Sequence, residues 1–83
     1  MALKEMRERA SMTLKMLSEI TGINQNYLAM YESGRRDING AKFLTLLNIC
    51  DALECRLGDI LTDKETLYML DVYMSKLDGE GEI

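Results

Sequence analysis

The sequence predicts an all-α fold, a compact bundle of five helices followed by a sixth, and three observations support this. Proline is absent from all 83 residues. No segment alternates Val, Ile or Thr in the manner of a half-buried strand. Apolar residues instead recur every three or four positions, bounded by residues that start and stop helices. Leu3, Met6 and Ala10 share one side of a first helix whose other side is charged. Thr13 is a good N-cap for a second helix expected to turn Met16, Leu17 and Ile20 inward, and Gly22 supplies the permissive backbone where it stops. Asn24 can cap a third helix from Gln25 to about Ser33, with Leu28 and Tyr31 on one side and Gln25, Asn26, Ala29, Met30 and Ser33 on the other. Gly34 ends it. Arg35 to Gly40 reads as a polar loop with Asn39 as the next cap. Phe43, Leu46, Leu47, Cys50 and Leu53 then mark the strongest amphipathic helix. Leu57, Ile60 and Leu61 form a short fifth helix, and Thr62-Asp63-Lys64-Glu65 is a capping-box signature for a sixth that runs to about Leu77, before Gly79. Asp78 to Ile83, charged and glycine-rich, is expected to fray.

Length and composition narrow the function. A chain this short makes one domain at most, with no room for a separate substrate domain. No histidine and two cysteines exclude a four-ligand Cys/His zinc site, a Cys-His nucleophile and the usual serine triad, so neither a catalytic residue nor a metal or other cofactor is expected. Cys50, on an apolar stripe, reads as an inert core thiol. The uncharged stretch from Phe43 to Cys50 is far too short to cross a bilayer. Met1 to Ala10 carries Lys4, Glu5, Arg7, Glu8 and Arg9, leaving no apolar block for a signal peptide, and the expected location is cytoplasmic.

The net charge of −4 is unevenly placed. Residues 1–61 hold eight basic and eight acidic side chains, whereas residues 62–83 hold two basic and six acidic ones. The acidity therefore belongs to the C-terminal segment, and double-stranded DNA remains a candidate partner for residues 1–61, despite the importance of Lys and Arg to phosphate binding.

Helix 2, the turn Thr21-Gly22-Ile23 and helix 3 have the proportions of a helix-turn-helix, in which a brief glycine turn lets two short helices cross steeply. The second helix of such a unit can present its N-terminal residues to base edges in the major groove. Gln25 and Asn26 carry amides able to pair with adenine N6 and N7, Met30 offers an apolar tip for a thymine methyl, and Ala29 permits close approach.

From Leu3 to Leu61 the chain resembles the XRE-like (Cro and phage-repressor type) helix-turn-helix family. The resemblance is carried by Leu3-Lys4-Glu5-Met6-Arg7, Met12-Thr13, Leu17-Ser18-Glu19, Gly22-Ile23-Asn24, Leu28-Ala29-Met30-Tyr31-Glu32-Ser33-Gly34-Arg35-Arg36, and Ala52-Leu53 with Asp59-Ile60-Leu61. It implies a five-helix domain that reads operator DNA, usually as a dimer, with Gln25, Asn26, Ala29 and Met30 facing bases. It also implies phosphate contacts from Arg35 and Arg36, from Thr13, Lys15 and Asn24 at the starts of helices 2 and 3, and from Asn39 and Lys42. Arg7 and Glu32 match a structural ion pair. Three positions depart from the family pattern: Leu14 stands where a phosphate-binding glutamine is common, the loop after Gly34 is about three residues longer and lacks its proline, and Arg56 replaces a small polar cap.

Residues 62–83 lie beyond that resemblance. Leu67, Leu70, Met74 and Leu77 form a broad apolar stripe, widened by Met69, Val72 and Tyr73. Three uses are open: extra core against helices 1 and 5, a dimer interface centred on Leu67, Leu70, Tyr73, Met74 and Leu77, or a docking site for another protein, such as the toxin partner of an antitoxin.

Overall fold

The computed structural model describes residues 2–81, of which residues 79–81 are described by backbone alone. The described residues form six α-helices and one 3-10 turn, joined by short connections: α1 (Ala2–Arg9), α2 (Leu14–Thr21), α3 (Gln25–Ser33), the turn Ile38–Gly40, α4 (Phe43–Leu53), α5 (Leu57–Ile60) and α6 (Lys64–Gly81). The first five helices pack around Leu3, Leu17, Leu28, Ile38, Leu46, Ile49, Cys50, Leu53, Ile60 and Leu61. Helices α1 and α2 both pack on α3, α1 also packs on α5, and α4 packs on α2 and α5.

The helix starts follow from local chemistry. Thr13 accepts the Met16 N–H at 3.1 Å and Asn24 accepts the Asn26 N–H at 2.8 Å, each satisfying a backbone donor that the helix itself cannot. The stops at α2 and α3 need left-handed backbone, and Gly22 and Gly34 adopt it with φ of 75° and 82°. Ser11 and Glu54 take the same conformation without being glycine, with φ of 56° and 52°. Both sit in paired C-terminal bonds: Met12 N–H to Arg7 O with Ser11 N–H to Glu8 O, and Cys55 N–H to Cys50 O with Glu54 N–H to Asp51 O. This Schellman arrangement brings the residues at its two ends together. At the end of α4 those residues are Cys50 and Cys55, both free thiols, the first buried and the second half-buried.

Several inward faces differ from the sequence expectation. In α2 Leu17 is fully buried and Leu14 packs partly on the core, but Met16 and Ile20 are exposed. The helix is rotated so that Thr21 faces α4, where Asn48 Nδ2 donates to the Thr21 carbonyl at 2.7 Å. In α4 the buried stripe is Leu46, Ile49, Cys50 and Leu53, while Phe43 and Leu47 are exposed. The loop after α3 is not simply polar, because Ile38 is buried in it. Asn39 does not cap α4. That helix starts at Lys42 with no side-chain cap.

Asn39 instead builds the start of α6. Its Oδ1 accepts the Thr62 and Asp63 N–H groups at 2.8 and 2.9 Å, and its Nδ2 donates to Asp37 Oδ1 and Thr62 Oγ1, both at 2.8 Å. The capping side chain is Asp63 rather than Thr62: its Oδ2 accepts from Thr66 N at 2.9 Å and Thr66 Oγ1 at 2.6 Å, which holds the Asp63 carboxyl below the ordinary carboxylate range. Arg56 is served similarly by Asp59, which accepts the Arg56 N–H at 2.9 Å ahead of α5. Helix α6 then continues through Asp78 and Gly79 to Gly81, four residues past the expected end at Leu77. Of the segment expected to fray, residues 78–81 are helical, and residues 82 and 83 lie outside the described residues.

The ion pair foreshadowed by Arg7 and Glu32 is two-pronged. Arg7 Nε donates to Glu32 Oε2 at 2.6 Å and Nη2 to Oε1 at 3.1 Å, while Nη1 donates to the Met12 carbonyl at 2.8 Å. Both side chains are about nine-tenths buried. The Glu32 bond raises the Arg7 pKa further above its ordinary value, outweighing the lowering by burial. Glu32→Ala strands a desolvated guanidinium, and a loss of about 3 kcal/mol in unfolding free energy is expected from urea melts. A loss below about 1 kcal/mol would show that Arg7 finds other partners.

Burial, followed by the neighbouring Cys50 thiol, pushes the Cys55 thiol up to about 12. The reactive thiolate is therefore scarce at neutral pH. The expectation is that iodoacetamide labels Cys55 in the native protein at pH 8 at least tenfold more slowly than in urea, with native labelling still accelerating as pH is raised toward 12. Equal native and denatured rates at pH 8 would contradict that environment.

Candidate nucleic-acid interface

Helix α3 is the centre of the site. Leu28 and Glu32 anchor its inner face, Leu28 in the core and Glu32 through Arg7, while half-buried Tyr31 packs against the core. The rest of the helix faces outward. Gln25 and Asn26 at its N-terminal end are exposed, and Ala29 and Met30 are half-buried. The turn from α2 is fixed by side chains: Thr21 Oγ1 donates to the Leu17 carbonyl at 2.7 Å and accepts the Ile23 N–H at 3.2 Å, and Ser18 Oγ donates to the Ile23 carbonyl. These bonds hold α3 in a fixed orientation to α2, which a rigid reading helix requires.

Basic side chains stand on the elements that flank α3. Lys15 lies on the first turn of α2, Arg35 and Arg36 follow α3 directly, and Lys42 precedes α4; all four are exposed. The guanidinium of Arg36 lies over the Tyr27 ring, 4.5 Å from its centroid, and 5.9 Å from that of Tyr31. Cation–π contact of this kind holds a long side chain beside the helix without neutralising it. The first turn of α4 has no side-chain cap, so its N–H groups add partial positive charge beside Lys42.

Residues 2–65 match a family model described as the Cro/C1-type HTH DNA-binding domain. The chain belongs to that family. No curated protein matches it, and no solved structure does. As a Cro/C1-type domain it is a DNA-binding regulatory domain, and none of its described helices is long and apolar enough to cross a membrane. Leu14, which stands where glutamine is common in the XRE-like pattern, contributes to the core instead of presenting an amide.

The structure brings most of the sequence-nominated positions to α3 and its flanks and sets one aside. Thr13 and Asn24 each use a side-chain oxygen to cap their own helix. Asn39 has both amide hydrogens and its carbonyl oxygen engaged by Asp37, Thr62 and Asp63, so it serves the α6 junction rather than a phosphate. Tyr27 was not among the nominated residues, yet it is 47% exposed on α3 and carries the Arg36 stack. Its signal in the sequence is the pair Tyr27 and Tyr31, one helical turn apart and shortly before two arginines. Asn39→Ala is expected to lower stability by about 1 to 2 kcal/mol through the freed Thr62 and Asp63 N–H groups while leaving the salt dependence of DNA binding unchanged. A shallower salt slope would reinstate Asn39 as a phosphate ligand.

Proposed function

We propose that this domain is a sequence-specific transcriptional repressor that acts in the cytoplasm as a homodimer on a pseudo-palindromic operator. The observation that carries the proposal is the exposed amide pair Gln25 and Asn26, at the free end of a rigidly held α3, with exposed Lys15 on α2, Arg35 and Arg36 just after α3 and Lys42 just before α4. Placed in the major groove, that end of α3 puts two bidentate amides at base edges, with Ala29 and Met30 one turn further along the helix. The four cations then lie on the elements on either side of α3, where the phosphates run.

Thr13 and Asn24 mark the N-termini of α2 and α3, whose dipoles favour an approaching phosphate even though the cap oxygens are occupied. Arg36 reaches the backbone from the Tyr27 ring, and the ring in turn covers apolar surface beside the groove. One reading helix contacts few base pairs. Two copies supply useful specificity when their half-sites lie about one helical turn, roughly 34 to 36 Å, apart.

Gln25→Ala or Asn26→Ala is expected to cost about 1 to 3 kcal/mol on the selected operator and to relax preference at one base pair per half-site. Arg35→Ala is expected to weaken all sequences alike and to flatten the log-log salt slope by roughly 0.9 for each phosphate left without its cation. The check is selection from randomised duplexes followed by a salt titration of each variant. Equal losses for all three variants on random DNA would reject the assignment of base-reading residues.

A further inference from the structure

Helix α6 is only partly absorbed by the body. Leu67 and Leu70 turn inward: both pack against the core, and a Cβ at Gly58 would meet their Cδ2 atoms at 3.8 and 4.0 Å. With Met74 they line an open groove between α5 and α6, walled by Arg56, Asp59, Asp71 and Asp78. The stripe anticipated as a dimer interface is thereby divided, since Leu67 and Leu70 already have a partner within the chain. The outward face of α6 is a different set of residues. Tyr68, Met69, Val72 and Tyr73 are 67%, 56%, 41% and 57% exposed, and none of them lines the groove.

These four side chains occupy adjacent turns of one helical face, with exposed Glu65 one turn before them and exposed Lys76 one turn after. The order is self-complementary. An antiparallel copy, related by a twofold axis passing between Leu70 and Asp71, sets Tyr68 against the partner's Tyr73, Met69 against the partner's Val72, and Glu65 against the partner's Lys76. Each end of the apolar patch then closes with opposite charges.

We infer that this face of α6 is an isologous dimer interface whose occupant is the same face of a second copy. A twofold axis pairs a surface with itself, which is what this pattern satisfies without a charge clash. The groove edge lacks that property, because antiparallel self-pairing along Leu70, Met74 and Leu77 brings the carboxylates of Asp71 and Asp78 from the two copies toward each other. Four partly exposed side chains of this size make a face smaller than the roughly 800 Å² per partner of a standard stable interface. Such an area suits a dimer of modest affinity that two half-sites on one duplex reinforce. The inference rests on the homodimeric reading above, and it names the surface that reading lacks.

The test is sedimentation equilibrium of the full chain without DNA, on the wild type and on Glu65→Lys, Lys76→Glu, the double exchange, Tyr68→Glu and Met74→Asp. Helix content by circular dichroism accompanies each. Wild type is expected to dimerise at micromolar concentration. Either single charge reversal creates two like-charge pairs and should weaken dimerisation about tenfold, and the double exchange should restore it to within about threefold. Tyr68→Glu should be monomeric with helix content retained, and Met74→Asp should dimerise normally.

A monomeric wild type at all concentrations overturns the inference, as does a double exchange that weakens more than either single change. Loss of the dimer in Met74→Asp alone moves the interface to the groove and also overturns it. DNA selection on the same samples separates this inference from the proposed function. A palindrome enriched by a protein whose dimer ignores the α6 charges sinks the interface and keeps the operator reading. A charge-dependent dimer that enriches no sequence does the reverse.

Discussion

The Arg7 guanidinium is the joint on which the reading helix depends. Its planar fork has fixed directions, and three of its nitrogens are used: two on Glu32 near the end of α3, and one on the Met12 carbonyl in the turn between α1 and α2. The same turn is bonded to Arg7 through the main chain, because Met12 N–H donates to the Arg7 carbonyl. One residue of α1 therefore fixes where α2 begins and where α3 ends. A lysine would preserve the charge at this site but not the two-pronged geometry, since an ammonium is a point charge without a fork. The pair is not needed for its net energy, as buried ion pairs often merely balance their desolvation. Its consequence is orientation: Leu28 alone would allow α3 to rotate about its axis, and the Arg7 fork removes that freedom.

The helix boundaries and the helix-turn-helix were legible because their signals are local. Thr13, Gly22, Asn24 and Gly34 each act within a few residues, through a cap or a left-handed backbone. The phases of α2 and α4 were less legible. In α2 the apolar residues Leu14, Met16, Leu17 and Ile20 support two overlapping stripes, and an eight-residue helix is too short for periodicity to choose between them. The choice is made only in the packed domain, where Leu17 is fully buried and Leu14 lies partly on the core, leaving Met16 and Ile20 exposed. Asn39 misled for a related reason. Its type suits a cap, but the helix it serves is α6, and nothing near position 39 in the sequence reveals that Thr62 and Asp63 will arrive beside it.

That misreading exposes a connection between parts. The segment Arg35 to Gly40 carries the arginines that follow α3, and the same segment, through Asn39 and Asp37, holds the N-terminus of α6. Buried Ile38 pins it between the two. On the proposed reading, in which Arg35 and Arg36 face phosphates, this stretch of backbone would link DNA binding to the orientation of α6. In the proposed dimer the angle at which two copies present α3 would be set through this segment, whose 3-10 turn, Ile38–Gly40, places Asn39.

Charge placement bears on how such a dimer would discriminate. Residues 1–61 are neutral overall, so in the proposed complex attraction to a duplex would come from the exposed cations Lys15, Arg35, Arg36 and Lys42 rather than from the net charge of the domain. Exposed charges separated by more than about 8 Å are largely screened from one another at physiological salt. A protein with few phosphate contacts gains little from binding arbitrary sequence, because nonspecific affinity is almost entirely electrostatic. On the proposed reading, base contacts from Gln25 and Asn26 would then supply a larger share of the total. Doubling them through a modest α6 interface raises affinity for paired half-sites far more than for random DNA, where a second copy has no correct bases to meet. In the proposed dimer, weak basicity and a weak α6 interface would be two parts of one arrangement that favours selectivity over strength.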